Sequence, residues 1–151
     1  MTVPDEKGVP PPPEMSRRLL DHQRWLNSDG RFGKQLVGSE LLFDNCDLEG
    51  IDLSRADIEY AYFRGGSVKG ARFVGTHLFS ATFVGCDVEG ADFSNANLRW
   101  ANFLTNHEKA CLDGADITRT AWNAEQREQN RKDYPDRGEP RKLWPRDTLK
   151  I

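Results

Sequence analysis

Residues 43–58 read FDNCDLEGIDLSRADI and residues 83–98 read FVGCDVEGADFSNANL, with eight of the sixteen positions identical across an offset of forty. Between and beyond them runs a shorter beat. A large apolar residue recurs every five positions: Phe43, Leu48, Leu53, Ile58, Phe63, Val68, Phe73, Leu78, Phe83, Val88, Phe93, Leu98 and Phe103. Two residues before each stands a small or apolar one, such as Cys46, Ala56, Ala61, Ala71, Ala81, Cys86, Ala91 and Ala96. A period of five matches neither the 3.6 of a helix nor the 2 of a strand. A chain that turns a corner every five residues accounts for it, with two side chains per side pointing inward.

Four such sides make a coil of twenty residues. Sampling every twentieth position gives Phe43, Phe63, Phe83 and Phe103 on one side, then Leu48, Val68 and Val88, then Leu53, Phe73 and Phe93, then Ile58, Leu78 and Leu98. Nearly homogeneous columns are what stacking demands when like sits on like at a strand spacing of about 4.8 Å. The phenylalanine column is expected to form an aromatic spine. Gly50, Gly70 and Gly90 mark the corner after the second side, where a tight turn favours positive φ. Beyond Phe103 the next central residue is Leu112, nine positions on, followed by Ile117 and Trp122. The nine reads as a five lengthened by four inserted residues, Asn106-His107-Glu108-Lys109, at the first corner of a fourth coil.

The pentads ADIEY, ADFSN, ANLRW, ANFLT and ADITR resemble the pentapeptide-repeat family, whose signature is approximately A(D/N)LXX, and the resemblance covers residues 41–122. It implies an all-β fold, a right-handed quadrilateral β-helix of about four coils, with short helical or coiled caps. It also implies one competing activity, because some family members imitate duplex DNA and bind DNA gyrase. The leader LLDHQRWLNSDGRFG is similar to those preceding pentapeptide arrays in some bacterial and phage proteins.

The flanks lie outside the beat. In residues 1–40, Pro10–Pro13 predict extended polyproline II. Ser16 follows as a helix N-cap, Leu19, Leu20, Trp25 and Leu26 as an apolar stripe, and Gly30 as a stop. His22 beside that stripe reads as structural. In residues 123–151, Asn123–Lys132 predict a polar helix, and YPDRGEPRKLWPRD a proline-rich coil. Both flanks are expected to cap the ends of the solenoid.

Charge and cysteine content narrow the function classes. The formal net charge of −3 is too small to indicate a nucleic-acid binder. Residues 41–122 carry twelve acids against seven bases, but the stacked outward positions Glu49–Lys69–Glu89 and Asp52–Arg72–Asp92 alternate in sign. That weakens the gyrase reading. No apolar run approaches the length of a membrane span, and three cysteines without a CxxC fit a reducing compartment. The expectation is a cytoplasmic protein with neither membrane nor direct nucleic-acid partners. No phosphate loop, metal-spaced Cys/His cluster or nucleophile motif is present, so no catalytic residue, metal or cofactor is expected. Cys46 and Cys86 share a column two coils apart, about 9–10 Å and too far for a disulfide.

What remains outside the core is a set of aromatics. Tyr60, Tyr62, Phe79 and Trp100, with Val84 and Leu104 nearby, are expected as an exposed strip at the corner between the fourth and first sides. Together with the Asn106–Lys109 loop they form the expected contact surface for a protein partner or a second copy. Both flanks are also candidates to cover the strip.

Overall fold

In the computed structural model, residues 7–135 are described. Their centre is a ladder of parallel pairings offset by twenty residues: Leu42↔Tyr62, Asp47↔Ser67, Asp52↔Arg72 and Asp57↔His77 in the first turn, repeated above it by Ser67↔Asp87, Arg72↔Asp92 and His77↔Asn97. Pairing starts at Val37↔Asp57 and ends at Asn102↔Ala121. On one side of the square the extended segments lengthen into a three-stranded parallel sheet of β1 (Tyr62–Arg64), β2 (Thr82–Val84) and β3 (Asn102–Leu104), in the order β1-β2-β3.

Most corners share one chemistry. The carbonyl of the central residue accepts the N–H three positions on, as in Cys46 to Phe43 at 3.3 Å and Ala71 to Val68 at 2.9 Å. The residue two after the centre takes positive φ. This is Gly at 50, 65, 70, 75, 85, 90 and 114, but also Asn45, Arg55, Tyr60, Ser80, Asn95, Trp100 and Arg119. The left-handed conformation therefore recurs at corner after corner, well beyond the glycine-marked one.

Inside, the columns stack as the period requires. Phe43 and Phe63 lie 4.8 Å apart at 9°, and Phe63 and Phe83 4.5 Å apart at 1°. Phe83 and Phe103 follow at 4.7 Å and 33°. The neighbouring Phe73–Phe93 stack, at 4.7 Å, meets this spine edge-on, with Phe63–Phe73 at 5.7 Å and Phe83–Phe93 at 5.5 Å. Stacked and edge-to-face geometries both suit the ring quadrupole, so the core gains specificity beyond its apolar area. Thr76, fully buried in an otherwise alanine-like position, donates its hydroxyl to the Leu53 carbonyl at 2.8 Å.

The top coil departs from the sequence reading. There the pairing offset falls to nineteen, with Asp92↔Cys111, Asn97↔Asp116 and Asn102↔Ala121. Phe103 to Leu112 is thus two fives short by one residue, not one five with four inserted. Leu112 continues the Phe93 column, since the Phe93 N–H donates to the Cys111 carbonyl at 2.8 Å. Trp122 completes the phenylalanine spine at 5.7 Å from Phe103. Gly114 sits over Asn95 rather than over Gly90. Ile117, read as core, is 45% exposed because no coil lies above it among the described residues.

The lower end is closed by side chains. Helix α1 spans Pro13–Asn27. Its N-cap is Pro12 and Pro13 is already helical, so Ser16 is not the cap. Its hydroxyl instead donates to the Pro11 carbonyl at 3.0 Å. Proline at the first helical position, where no N–H is needed, explains the earlier start. Leu19 is buried on the first coil while Leu20 faces away at 52% exposure, a correction to the expected stripe. Carbonyls of the lowest coil that lack a coil beneath are satisfied from α1 and the loop after it. Arg18 donates to Val37 O (2.8 Å), Gln23 to Asp52 O (2.5 Å), His22 to Ser54 O (3.0 Å) and Gln35 to Arg55 O (2.7 Å). Ahead of α1, Val9 adds a parallel rung beside Cys46, accepting the Asp47 N–H at 2.7 Å. The chain before α1 is therefore part of the lowest coil.

At the other end, helix α2 spans Ala124–Asp133, capped by the Asn123 side chain, which accepts the Gln126 N–H at 2.8 Å. It buries no residue. The expected coil after it lies, from residue 136 onward, outside the described residues.

Candidate interaction surface

Three faces of the solenoid carry charged side chains, alternating in sign along Glu49–Lys69–Glu89 and Asp52–Arg72–Asp92. Their outward positions include Asp47, Glu49, Lys69, Asp87 and Glu89 on the second face, Asp52, Arg72 and Asp92 on the third, and Asp57, Glu59, Arg99 and Asp116 on the fourth. The face built on β1–β3 differs. Its outward residues are Tyr62 and Arg64, Thr82 and Val84, Asn102 and Leu104, in register. Arg64 is held by Asp44 through Nε at 3.0 Å and Nη2 at 2.5 Å, and its guanidinium stands 4.9 Å over the Tyr62 ring. Hydrogen bonding from Arg64 holds the Asp44 carboxyl below the ordinary carboxylate range. Above that pair, Thr82, Val84, Asn102 and Leu104 carry no charge.

The expected aromatic strip borders this face but is not laid out as one exposed row. Tyr60 is a correction: it is 5% exposed, its ring edge-on to Phe79 at 5.7 Å. Its Cα lies at a positive-φ corner, and the side chain leaves that corner covered rather than projecting. Tyr62, Phe79, Val84, Trp100 and Leu104 are half-buried. Trp100 is met edge-on by Tyr134, at the end of α2, at 5.3 Å, and Arg119 stacks on the other ring of that pair at 4.6 Å. Asn130 anchors the helix by donating to the Arg119 carbonyl at 3.0 Å. The C-terminal helix therefore covers the top of the corner, and the sheet face beside it stays accessible. Tyr60 and Trp100 both hold bulky side chains at positive φ, a conformation that costs roughly 1–2 kcal/mol for an L residue. Glycine occupies the corresponding position at most glycine-marked corners, so the aromatics stand there against local preference.

The Asn106–Lys109 segment bounds the same face on its other side, and it is not a free loop. His107–Lys109 form a 3-10 turn. Asn106 Oδ1 accepts the Val88 N–H at 3.0 Å, and its Nδ2 donates to Asp87 Oδ1 at 3.0 Å. The His107 ring packs on Trp122 at 4.8 Å, and Lys109 pairs with Glu89 at 3.8 Å. Glu108 remains exposed. Sequence reasoning missed Arg64, Arg119 and Tyr134. The first two are ordinary charged positions of the repeat, and Tyr134 lies beyond it.

Among the described residues no group of three or more His, Cys, Asp or Glu is placed to hold a metal ion. Cys46, Cys86 and Cys111 are free thiols, and burial pushes the Cys86 thiol up to about 12. His22 is fully buried. The Leu36 N–H donates to its Nδ1 at 2.9 Å, so its proton is on Nε2, which donates to Ser54. That is the structural role expected for it. Among the described residues no helix is long and apolar enough to cross a membrane.

A four-sided parallel coil with a stacked phenylalanine core defines a β-solenoid. Residues 39–70 and 71–103 match the family described as Pentapeptide repeats, in eight copies. Residues 39–103 are thus repeats of the pentapeptide-repeat family, and the fold is the right-handed quadrilateral β-helix. It is similar to the pentapeptide-repeat protein Rfr23 of the cyanobacterium Cyanothece 51142, at 25% identity over 62% of this chain and 69% of that one, with a TM-score of 0.43. It is also similar to HetL, involved in heterocyst differentiation regulation in Nostoc sp. strain PCC 7120 (27% identity, 60% of this chain, 39% of that one, TM-score 0.47). A pentapeptide-repeat protein of the Arabidopsis thaliana thylakoid lumen matches at 24% identity over 66% of this chain and 77% of that one, with a TM-score of 0.42. No curated protein matches the sequence.

Proposed function

We propose that the protein is a non-enzymatic, rigid binding module that presents the β1–β3 face to a protein partner. One observation carries this reading: Thr82, Val84, Asn102 and Leu104 form an uncharged, half-buried, flat patch on a rod whose other three faces carry charged side chains. Interface cores are depleted in charge and rich in aromatics, and Tyr62, Phe79 and Trp100 border the patch. The ladder of backbone bonds gives it a preformed shape, which limits the ordering cost on binding. A cytoplasmic location fits the three free thiols.

The test is affinity capture from a lysate with wild type, Leu104→Glu, Trp100→Ala and, as a control on the third face, Val74→Glu. The reading expects a partner, or a dimer in light scattering, that Leu104→Glu and Trp100→Ala abolish and Val74→Glu spares. Equal capture by all four proteins overturns it. The gyrase-directed reading draws no support from the charge pattern, since Arg72 stands between Asp52 and Asp92 and Lys109 pairs with Glu89. Inhibition of gyrase supercoiling at micromolar protein would reinstate it.

A further inference from the structure

The lower end of the rod has a surface that the β1–β3 face does not explain. Along α1, Arg17, Leu20 and Arg24 occupy one outward stripe, opposite the buried Leu19 and His22. The turn after the helix folds back beside it. The Lys34 N–H donates to the Asp21 carbonyl at 3.1 Å, and Gly33 lies so close to Asp21 O and Arg24 Cβ that a Cβ there would stand 2.2 and 2.7 Å from them. This brings Phe32 and Lys34, the neighbours of Gly33, beside Arg24 at the C-terminal end of that stripe.

Phe32 is 71% exposed, the highest of the exposed large apolar residues among those described, and Leu20 is 52% exposed. Phe32 is also held out rigidly. The Ser28 hydroxyl accepts its N–H at 2.8 Å and donates to its carbonyl at 3.1 Å, while Asp29, Gly30 and Gly33 supply three positive-φ bends. The turn thus holds an apolar side chain in water beside basic residues, with its backbone already ordered before any contact is made. Residues 13–35 carry five bases against three acids. Asp21 pairs with Arg24 at 3.4 Å and the exposed Asp29 lies 4.0 Å from Arg55, while Glu14 stands at the far end of the helix, so the segment keeps an excess of two positive charges.

We propose that this end of the rod docks on the surface of a membrane containing anionic phospholipid, with Phe32 and Leu20 entering the interfacial layer and Arg17, Arg24, Arg31 and Lys34 facing the headgroups. Apolar residues ringed by basic ones are the composition of interfacial anchors. A protruding phenyl ring and leucine with basic side chains around them suit a fluid anionic surface, which needs no pocket shaped to them. Competition with duplex DNA separates lipid from a nucleic acid into whose base steps a phenyl ring can wedge. The expectation of no membrane partner rested on the lack of a spanning segment. Surface docking needs no such segment, and bases outnumber acids in residues 13–35.

The test is co-sedimentation of the full chain with vesicles of phosphatidylglycerol mixed equally with phosphatidylcholine, and with phosphatidylcholine alone. Binding to the anionic vesicles alone, weakened by salt, is expected. It should fall by roughly tenfold in Leu20→Ser/Phe32→Ser and be lost in Arg31→Glu/Lys34→Glu. These side chains are exposed, so thermal melts should not change. Four results overturn the proposal: no binding to anionic vesicles, equal binding to neutral ones, binding kept by Leu20→Ser/Phe32→Ser, or competition by duplex DNA as effective as that by lipid. Loss of vesicle binding in Leu104→Glu rather than in these variants would also overturn it, because that would move the contact to the β1–β3 face.

Discussion

The side-chain carbonyl of Asn106 accepts the Val88 amide at 3.0 Å, taking the place of a backbone carbonyl that the shortened top coil does not supply. In the coils below, the equivalent amides of Leu48 and Val68 donate to the carbonyls of Ser67 and Asp87. Dropping one residue at the second side would orphan a buried donor, and one asparagine repairs the ladder while its Nδ2 binds Asp87. Asn106→Leu should therefore lower unfolding stability by about 1–3 kcal/mol, the cost of leaving such a donor unpaired. Urea denaturation of wild type and variant measures it. No change in midpoint would show that this rung contributes nothing.

The phenylalanine spine makes a larger prediction. Phe83 is fully buried, stacks on Phe63 and Phe103, and receives the edges of Phe73 and Phe93. Truncation to alanine opens a cavity in the middle of a stack that neighbouring coils cannot close without shifting their own rungs. Phe83→Ala should cost about 3–5 kcal/mol, and Phe83→Leu less. At the open top, Trp122→Ala should cost less than Phe83→Ala, because Trp122 is only half-buried. Equal losses at the two positions would contradict a core that is tightest at its centre.

His22 gives the stability a pH dependence whose sign is fixed. Burial lowers its pKa below 6.5, against smaller opposing effects from the Ser54 carbonyl and Asp52; Arg55 nearby lowers it further. Above 6.5 the ring is neutral in both folded and unfolded chains, and its contribution is fully present. As pH falls through 6.5 the unfolded chain takes up the proton first, so stability declines until the folded pKa is passed. His22→Gln should be less stable at neutral pH and should lack this decline. Asp44, Asp87, Asp92 and Asp116, all shifted below 3.8 by hydrogen bonds to their carboxylates, act in a separate window. Their contribution persists above 3.8 and is lost only as pH drops through their lower folded values. Denaturant midpoints across both windows check the two steps.

The inward columns were legible because burial imposes a strict period, and a homogeneous column such as Phe43–Phe63–Phe83–Phe103 leaves one register. The corners were less so. Positive φ is visible in sequence where glycine marks it, at Gly50, Gly70 and Gly90, but the same conformation is forced on Arg55, Tyr60 and Trp100 by the ladder above and below. The nine residues from Phe103 to Leu112 fit either a five with an insertion or two shortened sides. Spacing alone does not separate these, since the choice depends on which residue lies beneath. Gly114 favoured the wrong one by imitating the second-side corner. Of the candidate surface, Tyr62, Val84 and Leu104 were legible from outward alternation. The burial of Tyr60 and the packing of Tyr134 on Trp100 were not, because one arises at a corner and the other from a helix outside the repeat.

The corner geometry yields a last prediction, and it runs toward greater stability. Ser80 holds φ +55° in the corner column between Tyr60 and Trp100, where Gly65 and Gly85 occupy the equivalent position one corner later. Its N–H donates to the Arg99 carbonyl at 2.8 Å, so the ladder fixes the backbone whatever the side chain. Glycine removes the steric penalty of the left-handed region, roughly 1–2 kcal/mol, but gives the unfolded chain more freedom, worth about 0.4–1 kcal/mol. The difference favours glycine, so Ser80→Gly should raise the melting temperature. Ser94→Gly, at a position without positive φ, should lower it, both from chain entropy and from loss of the hydroxyl that donates to Asp92 at 2.5 Å. Melts of the two variants that move in the same direction would show that the corner conformation is not what sets the residue preference there.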